Sequence, residues 1–336
     1  MICHFSAYKR TTYNRTWAPI MNSIAKDMAR RGYTITKDPQ LMWWREPDSL
    51  NITTGTVEES DIVIYTDFTK DHFQKPGLHV GLSGPEPGSF TIDNVGVWPH
   101  LEQTYIDITY LKRDVMLSVT DSNHYWNEYL SLFKESKSNH FNNPDLNPGT
   151  NSPSPGKLEK DFVLCLIDGN YTDPWDDSRW ERWKVIINTL IGKNIPVVVK
   201  YDPRFLLTSE GKIDPNKLEK QKGVIQNLGD YVKVFTGLES LHDIVPQARA
   251  VIVEDTNFTL EPLMYLKPTL VLGKNPYSHI CAKEIVHEHQ IIDALENLQW
   301  FDKNTVYAWL KWYCTQWICY TDKEESVQLR LDDLLQ

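Results

Sequence analysis

Long apolar runs are absent from this sequence. No stretch reaches the ~18 residues that a membrane-crossing helix needs, and the opening MICHFSAYKRTTYNRTW lacks the apolar region of a secretory signal. A cytoplasmic protein is the expectation. Cysteine is scarce too: Cys3, Cys165, Cys281, Cys314 and Cys319 are scattered without CxxC spacing. That pattern argues against a zinc site or disulfide framework and for reduced, packed thiols. The chain carries no internal sequence repeat. A net charge of −10 argues against indiscriminate nucleic-acid binding.

What is present is globular: 336 residues with 41% hydrophobic and 24% charged side chains, a length that favours two domains over one core. The charge is unevenly spread. Residues 1–45 hold Lys9, Arg10, Arg15, Lys26, Arg30, Arg31, Lys37 and Arg45 against only Asp27 and Asp38, leaving 27 basic and 43 acidic residues elsewhere. Such a face can hold a polyanionic acceptor, or it can be a solvated helix surface. Tryptophan is abundant at twelve; aromatic platforms can stack a sugar or base, although core packing accounts for most of them.

Read in order, Met1–Ala7 is a short strand, followed by a polar, basic loop, Lys9–Arg15. A helix follows, with Trp17, Met21, Ile24 and Met28 on its apolar face and Gly32 as its stop. Tyr33–Thr36, Asp61–Thr66 and Leu78–Gly81 read as further strands. Ser83–Pro99, rich in glycine and proline, reads as an ordered loop carrying the carboxylates Glu86 and Asp93. These suit acid–base chemistry or plain turn capping. Leu101–Phe133 looks helical, with an aromatic stripe. Asn139–Lys160 is polar and proline-rich and reads as a linker.

A second α/β half begins at Phe162–Ile167. Trp180–Ile191 reads as a helix, Ile195–Lys200 as a β-branched strand, and Tyr231–Phe235 and Ala250–Val253 as strands flanking a short helix at Leu238–Val245. The stretch Ala250–Tyr277 is a strand, a polar turn at Asp255, Thr256 and Asn257, a helix over Phe258–Leu266, and a strand at Thr269–Leu272: a βαβ unit. Ligands of such sheets bind at the strands' carboxyl ends. The Thr256-Asn257 turn is therefore either a phosphate seat or an ordinary helix cap. Asn304–Tyr320 reads as an aromatic helix.

Two Rossmann-like halves, a linker and an aromatic C-terminal helix able to cross back to the first half resemble the GT-B glycosyltransferases. The implied division is 1–138, an acceptor-binding domain; 139–160, the linker; 161–300, a donor-binding domain; and 301–336, C-terminal helices packing back on the first domain. VVVKYDPRF resembles the "K-x-HP" element of capsule-type Kdo (3-deoxy-octulosonate) transferases and their sialyltransferase-like relatives. Asp255-Thr256-Asn257, Glu261-Pro262-Leu263, Lys267-Pro268, Gly273 and Asn275-Pro276-Tyr277 are similar to their "S-S-x-x-x-E-A-L…G-K-P…G-x-P-x-Y" element. Glu86-Pro87-Gly88 and Asp93-Asn94-Val95-Gly96 are similar to their acceptor-side "E-x-G…D-x-x-G" loop.

The resemblance implies a metal-independent transferase using a CMP- or UDP-linked sugar, with no other cofactor. No spaced DxD carboxylate pair stands at an expected strand end; Asp176-Asp177 is adjacent and lies in a polar loop. Thr256 and Asn257 would seat the donor phosphate, Lys200 would neutralise it as it leaves, and Glu261 would contact the nucleotide. Asp93, or Glu86, would be the general base. Asp202 replaces the family's histidine, so either Arg204 takes its phosphate-facing role or Asp202 turns to a donor hydroxyl. The basic face and compact size are similar to phage enzymes that glycosylate 5-hydroxymethylcytosine in DNA. In that reading Lys9, Arg10 and Arg15 hold phosphates of duplex DNA while the modified base is flipped out, in a host's cytoplasm. The alternatives are a Kdo-type transferase acting on a capsule or lipopolysaccharide chain, and a non-catalytic nucleotide-binding protein.

Overall fold

The computed structural model describes residues 1–7, 14–41, 44–66, 77–82, 89–93, 130–131, 134–135, 151, 153–167, 177–201, 214, 216, 232–235, 239–254, 259–272 and 282–335. The chain forms two compact units, Met1–Ile108 with Trp312–Gln336, and Thr109–Lys311.

In the first unit the strands are β1 (Ile2–Ala7), β2 (Thr34–Lys37), β3 (Thr53–Thr54), β4 (Ile62–Thr66), β5 (Leu78–Leu82), β6 (Ser89–Asp93) and β13 (Cys319–Tyr320). They lie in the order β13-β6-β5-β4-β1-β2-β3. Pairing is parallel from β3 through β5, and antiparallel for β5 with β6 and for β6 with β13. Gly77 leads into β5 where an added Cβ would stand 2.4 Å from the Val63 carbonyl oxygen, so glycine lets β5 approach β4.

Helix α1 (Asn14–Arg30) buries Trp17, Ile20, Met21, Ile24 and Met28, one face of a helix, against Cys3, Phe5, Ile64, Val80, Phe90 and Ile92 of the sheet. Gly32 ends it at φ +87°, with Gly32 N–H donating to Ala29 O and Tyr33 N–H to Met28 O, a Schellman closure.

The second unit holds β7 (Val163–Ile167), β8 (Val197–Tyr201), β9 (Val232–Phe235), β10 (Ala250–Val253), β11 (Thr269–Val271) and β12 (Lys283–Glu284), in the order β12-β11-β10-β7-β8-β9 and parallel throughout. VLCLI, VVVKY and AVIV are buried at every position. That is what continuous apolar runs become when helices cover both faces of a parallel sheet. Helix α2 (Asp177–Gly192) packs Trp183, Ile186, Ile187 and Leu190 on one face, together with α5 (Gln290–Glu296). Helix α3 (Leu241–Ile244) covers the other. Helix α4 (Leu260–Met264) follows β10. From the stretch read as a linker, Leu158 is buried, and Lys233 Nζ donates to Pro155 O at 2.7 Å and Lys157 O at 3.0 Å. Residues 153–160 are thereby docked on β9.

Three local readings change. The Ser83–Pro99 loop contains a strand, β6, because Phe90 and Ile92 alternate into the core and residues 90–93 pair with β5. Of the helix expected over Phe258–Leu266, Leu260–Met264 is helical, Tyr265 and Leu266 form a turn, and Phe258 lies outside the described residues. The aromatic helix expected over Asn304–Tyr320 stops at Trp312 as α6 (Lys303–Trp312), continues as a π-helical turn (Tyr313–Trp317), and ends in β13. The last helix, α7 (Glu324–Leu334), buries Val327 and Leu331 in the first unit's core. Most of Leu101–Phe133 lies outside the described residues.

Candidate functional site

The second sheet reads 3-2-1-4-5-6 when its strands are numbered from β7. The chain order reverses between β7 and β10, whose carboxyl ends are Ile167 and Val253. Crevices at such reversals are where doubly wound sheets hold ligands. Next to it, β8 carries Lys200 in register with Leu166 of β7 and Phe235 of β9, and its side chain is only 5% exposed. Glu261, in the first turn of α4, is 2% exposed. Two ionisable side chains buried this deeply are uncommon in a structural core and typical of functional sites.

Beside Glu261, one helical turn on, Tyr265 pairs its hydroxyl with Nδ1 of His242 on α3 at 2.7 Å. Burial pushes the Tyr265 phenol well above its ordinary range, and the carboxylates of Asp243 and Glu261 push it further. It stays protonated. Lys134 Nζ stands 5.2 Å from the centre of the Tyr265 ring, and desolvation lowers that lysine. No motif or spacing in the sequence singled out Lys134 or His242. Tyr265 had one signal, its spacing of four from Glu261 on a helix.

The edge of this site is braced from α2. Arg182 donates to Leu272 O at 2.8 Å, at the end of β11, and to Glu288 at 2.9 Å, with a longer contact to Ile285 O. Hydrogen bonding lowers the Glu288 carboxyl, its backbone bond first and Arg182 next.

In the first unit, one transverse row crosses four strands on the face opposite α1. Ser6 is in register with Tyr65, Tyr65 with His79, and His79 with Asp93. Ser6 Oγ reaches Asp38 Oδ2 at 2.7 Å, extending the row past the end of β2. The other Asp38 oxygen faces His4 Nε2 at 3.1 Å, and His4 Nδ1 faces Thr36 Oγ1 at 2.9 Å. The Tyr65 and His79 rings stack at 5.4 Å, and burial pulls the imidazole of His79 down to about 4. Asp93 is thus the last residue of a strand, level with neighbours one residue inside the carboxyl ends of β1 and β4.

Of the candidates read from sequence, Lys200 and Glu261 fall in the second unit and Asp93 in the first. Arg15 lies in the first turn of α1. Lys9, Arg10, Glu86, Asp202, Arg204, Thr256 and Asn257 lie outside the described residues. The basic face is partly spent within the chain. Arg30 pairs with Glu324, Arg31 with Asp27 and Asp332, and Lys37 with Glu46. Lys26 and Arg45 are exposed, and Asn22 of α1 donates to Arg45 O at 3.1 Å. Among the described residues no group of three or more His, Cys, Asp or Glu is placed to hold a metal ion, and no helix is long and apolar enough to cross a membrane.

No protein-family model matches the chain, and no curated protein does. Solved structures do. KpsC of Thermosulfurimonas dismutans, described as a beta Kdo 2,4 transferase, is 13% identical over 90% of this chain and 88% of its own, with a TM-score of 0.52. A second KpsC structure from the same organism, a beta Kdo 2,7 transferase, is 14% identical over 99% and 100% at a TM-score of 0.44. A UDP-GlcNAc 2-epimerase of Methanocaldococcus jannaschii is 9% identical over 99% of both chains at 0.40. The likeness to the first is one of fold: two Rossmann-like α/β units of the GT-B class, with the C-terminal segment pairing to the first unit's sheet.

Proposed function

We propose that this protein is a glycosyltransferase that moves a sugar from a CMP- or UDP-activated donor to an acceptor hydroxyl without a metal ion. The observation that carries the reading is the strand reversal between β7 and β10, flanked by the buried charges Lys200 and Glu261. A nucleotide sugar presents two features that such an edge suits: phosphates needing cations and amide donors, and a ribose whose hydroxyls a carboxylate can accept. Lys200 is the phosphate cation in this reading, with Arg204 beside it in sequence. Thr256 and Asn257, which follow β10, donate to phosphate oxygens, and Asp202 serves a donor hydroxyl. Glu261 takes the nucleotide.

The acceptor oxygen attacks the anomeric carbon as the bond from that carbon to the phosphate oxygen breaks. The nucleotide leaves with its electron pair, and the acceptor's proton passes to Asp93, or to Glu86. Stabilising the departing phosphate is the largest task, since charge develops there in the transition state. For the acceptor we take the hydroxymethyl group of 5-hydroxymethylcytosine in phage DNA. Arg15 and Lys26 lie eleven residues apart, three turns along one stripe of α1 and about 16 Å, with Asn22 between them carrying Arg45. Lys9 and Arg10 precede this stripe in sequence. The second reading, a Kdo-type transferase extending a capsule or lipopolysaccharide chain, draws on the fold shared with KpsC.

A thermal-shift panel of CMP- and UDP-sugars tests the donor site. A ligand at 100 times its Kd adds about 2.7 kcal/mol, and Lys200→Met should remove most of that gain. If no nucleotide sugar raises the melting temperature, the reading fails. Labelled transfer to hydroxymethylated duplex DNA, to the same duplex with unmodified cytosine, and to a Kdo-terminated oligosaccharide then separates the acceptors. Transfer to the oligosaccharide alone sinks the DNA reading.

A further inference from the structure

We infer that Arg330 of α7 is a positioning residue for the carboxylate at Asp93, so that the final helix of the chain sets the acceptor-side chemistry. The inference rests on Asp93 being the base. Arg330 is 6% exposed, and its Nε donates to the carbonyl oxygen of Ile92 at 2.8 Å, across 238 residues of chain. Ile92 is the residue immediately before Asp93. A bond to the Ile92 carbonyl fixes the plane of the peptide joining the two residues, and with it the direction from which the Asp93 Cα departs.

The guanidinium is itself held on two further sides. Its central carbon lies 3.9 Å from the centre of the Trp317 ring, and Nη1 bonds Asp333 one turn on at 2.7 Å. Trp317 is buried and belongs to the π-helical turn leading into β13, which pairs with β6 at Phe90 and Ser89. Cys319 and Tyr320 thus hold the start of β6, and Arg330 holds its end. Without β13, β6 would be the sheet's edge strand among the described residues.

A fold that needed only to cover the edge could do so with an apolar residue at 330. A buried arginine is costly unless its donors are used, and here one is spent on the single carbonyl adjacent to the candidate base. Lysine cannot replace it, because the rigid fork reaches carbonyl, ring and carboxylate together.

The experiment compares Arg330→Lys, Arg330→Met and Arg31→Met in the full chain, using the donor and acceptor found by the panel above. Arg31 also ties α7 to the unit, through Asp332 and Gln328 O, but it contacts α1 rather than β6. The expected result is a kcat lowered ~10- to 100-fold in both Arg330 variants, the scale of a misplaced reacting group. KM for the nucleotide sugar should stay within twofold, and Arg31→Met should lose stability but keep its kcat. Full turnover in Arg330→Lys overturns the inference, as does an equal fall in Arg31→Met. Asp93→Asn, run alongside, separates the two failures. If it is inactive while the Arg330 variants are normal, only the positioning role is wrong; if it keeps full turnover, the base assignment falls and the inference with it.

Discussion

Lowering the pH should destabilise the first unit through His79. The imidazole sits in the sheet row between Tyr65 and Asp93 at 6% exposure, and burial lowers its pKa from 6.5 to about 4. The folded state therefore resists protonation that the unfolded chain accepts. The stability linked to this neutral histidine is fully present above pH 6.5 and is lost as the pH falls towards 4. With 1.36 kcal/mol per pH unit, the whole interval is worth roughly 3 kcal/mol. Urea unfolding followed by tryptophan fluorescence at pH 7, 6, 5 and 4.5 should show the loss. His79→Gln keeps a polar side chain but cannot titrate, so the difference between variant and wild type isolates this residue from His4 and from the carboxylates. The gap between the two stability curves should close by about 2 kcal/mol between pH 6.5 and 5. Parallel curves over that range would refute the assignment of a depressed pKa to burial.

Arg182→Met removes the bracing of Leu272 O, Ile285 O and Glu288, and should cost about 2–3 kcal/mol by urea denaturation, the range for bonds from a charged donor. Arg31→Met strands the carboxylate of Asp27, 3% exposed, that Arg31 bonds at 2.5 Å. A loss of about 2–3 kcal/mol is expected, below a fully buried pair because Arg31 itself is partly exposed. Leu266→Gly should stabilise. Leu266 holds φ +51° at the same Schellman position that Gly32 fills after α1 and Asn194 fills, at φ +57°, after α2. Relieving a left-handed leucine, less the entropy cost of glycine, leaves about 0.5–1 kcal/mol, or about 2 °C in calorimetry.

The second sheet was nearly complete in the sequence. Ala250–Val253 and the strands flanking it are short, β-branched and bounded by polar turns, because a strand buried on both faces admits little else. Helix α1 was legible for the same reason: one buried face at helical spacing, closed by Gly32. Lys200 was singled out from the motif VVVKYDPRF, and its burial agrees with a charge placed at the end of an apolar strand.

Other features depended on partners distant in sequence. Ser89–Asp93 looks like loop, its glycine and proline neighbours outweighing two apolar residues. It becomes a strand only because β5 and β13 supply hydrogen bonds on both sides. Cys319 and Tyr320 continue an aromatic helical pattern, and pairing with β6 overrides it. The basic face of residues 1–45 is a fact of the sequence, yet the carboxylates that spend Arg30, Arg31 and Lys37 come partly from Glu324 and Asp332, some 300 residues on. The sequence by itself determined the two doubly wound halves and their buried strands, since periodicity and β-branching are local properties. Only the tertiary structure decided the polar row Ser6–Tyr65–His79–Asp93, the pairing of His242 with Tyr265, and the reach of Arg330 to Ile92. Each depends on strand order and register, which bring together residues that no local pattern relates.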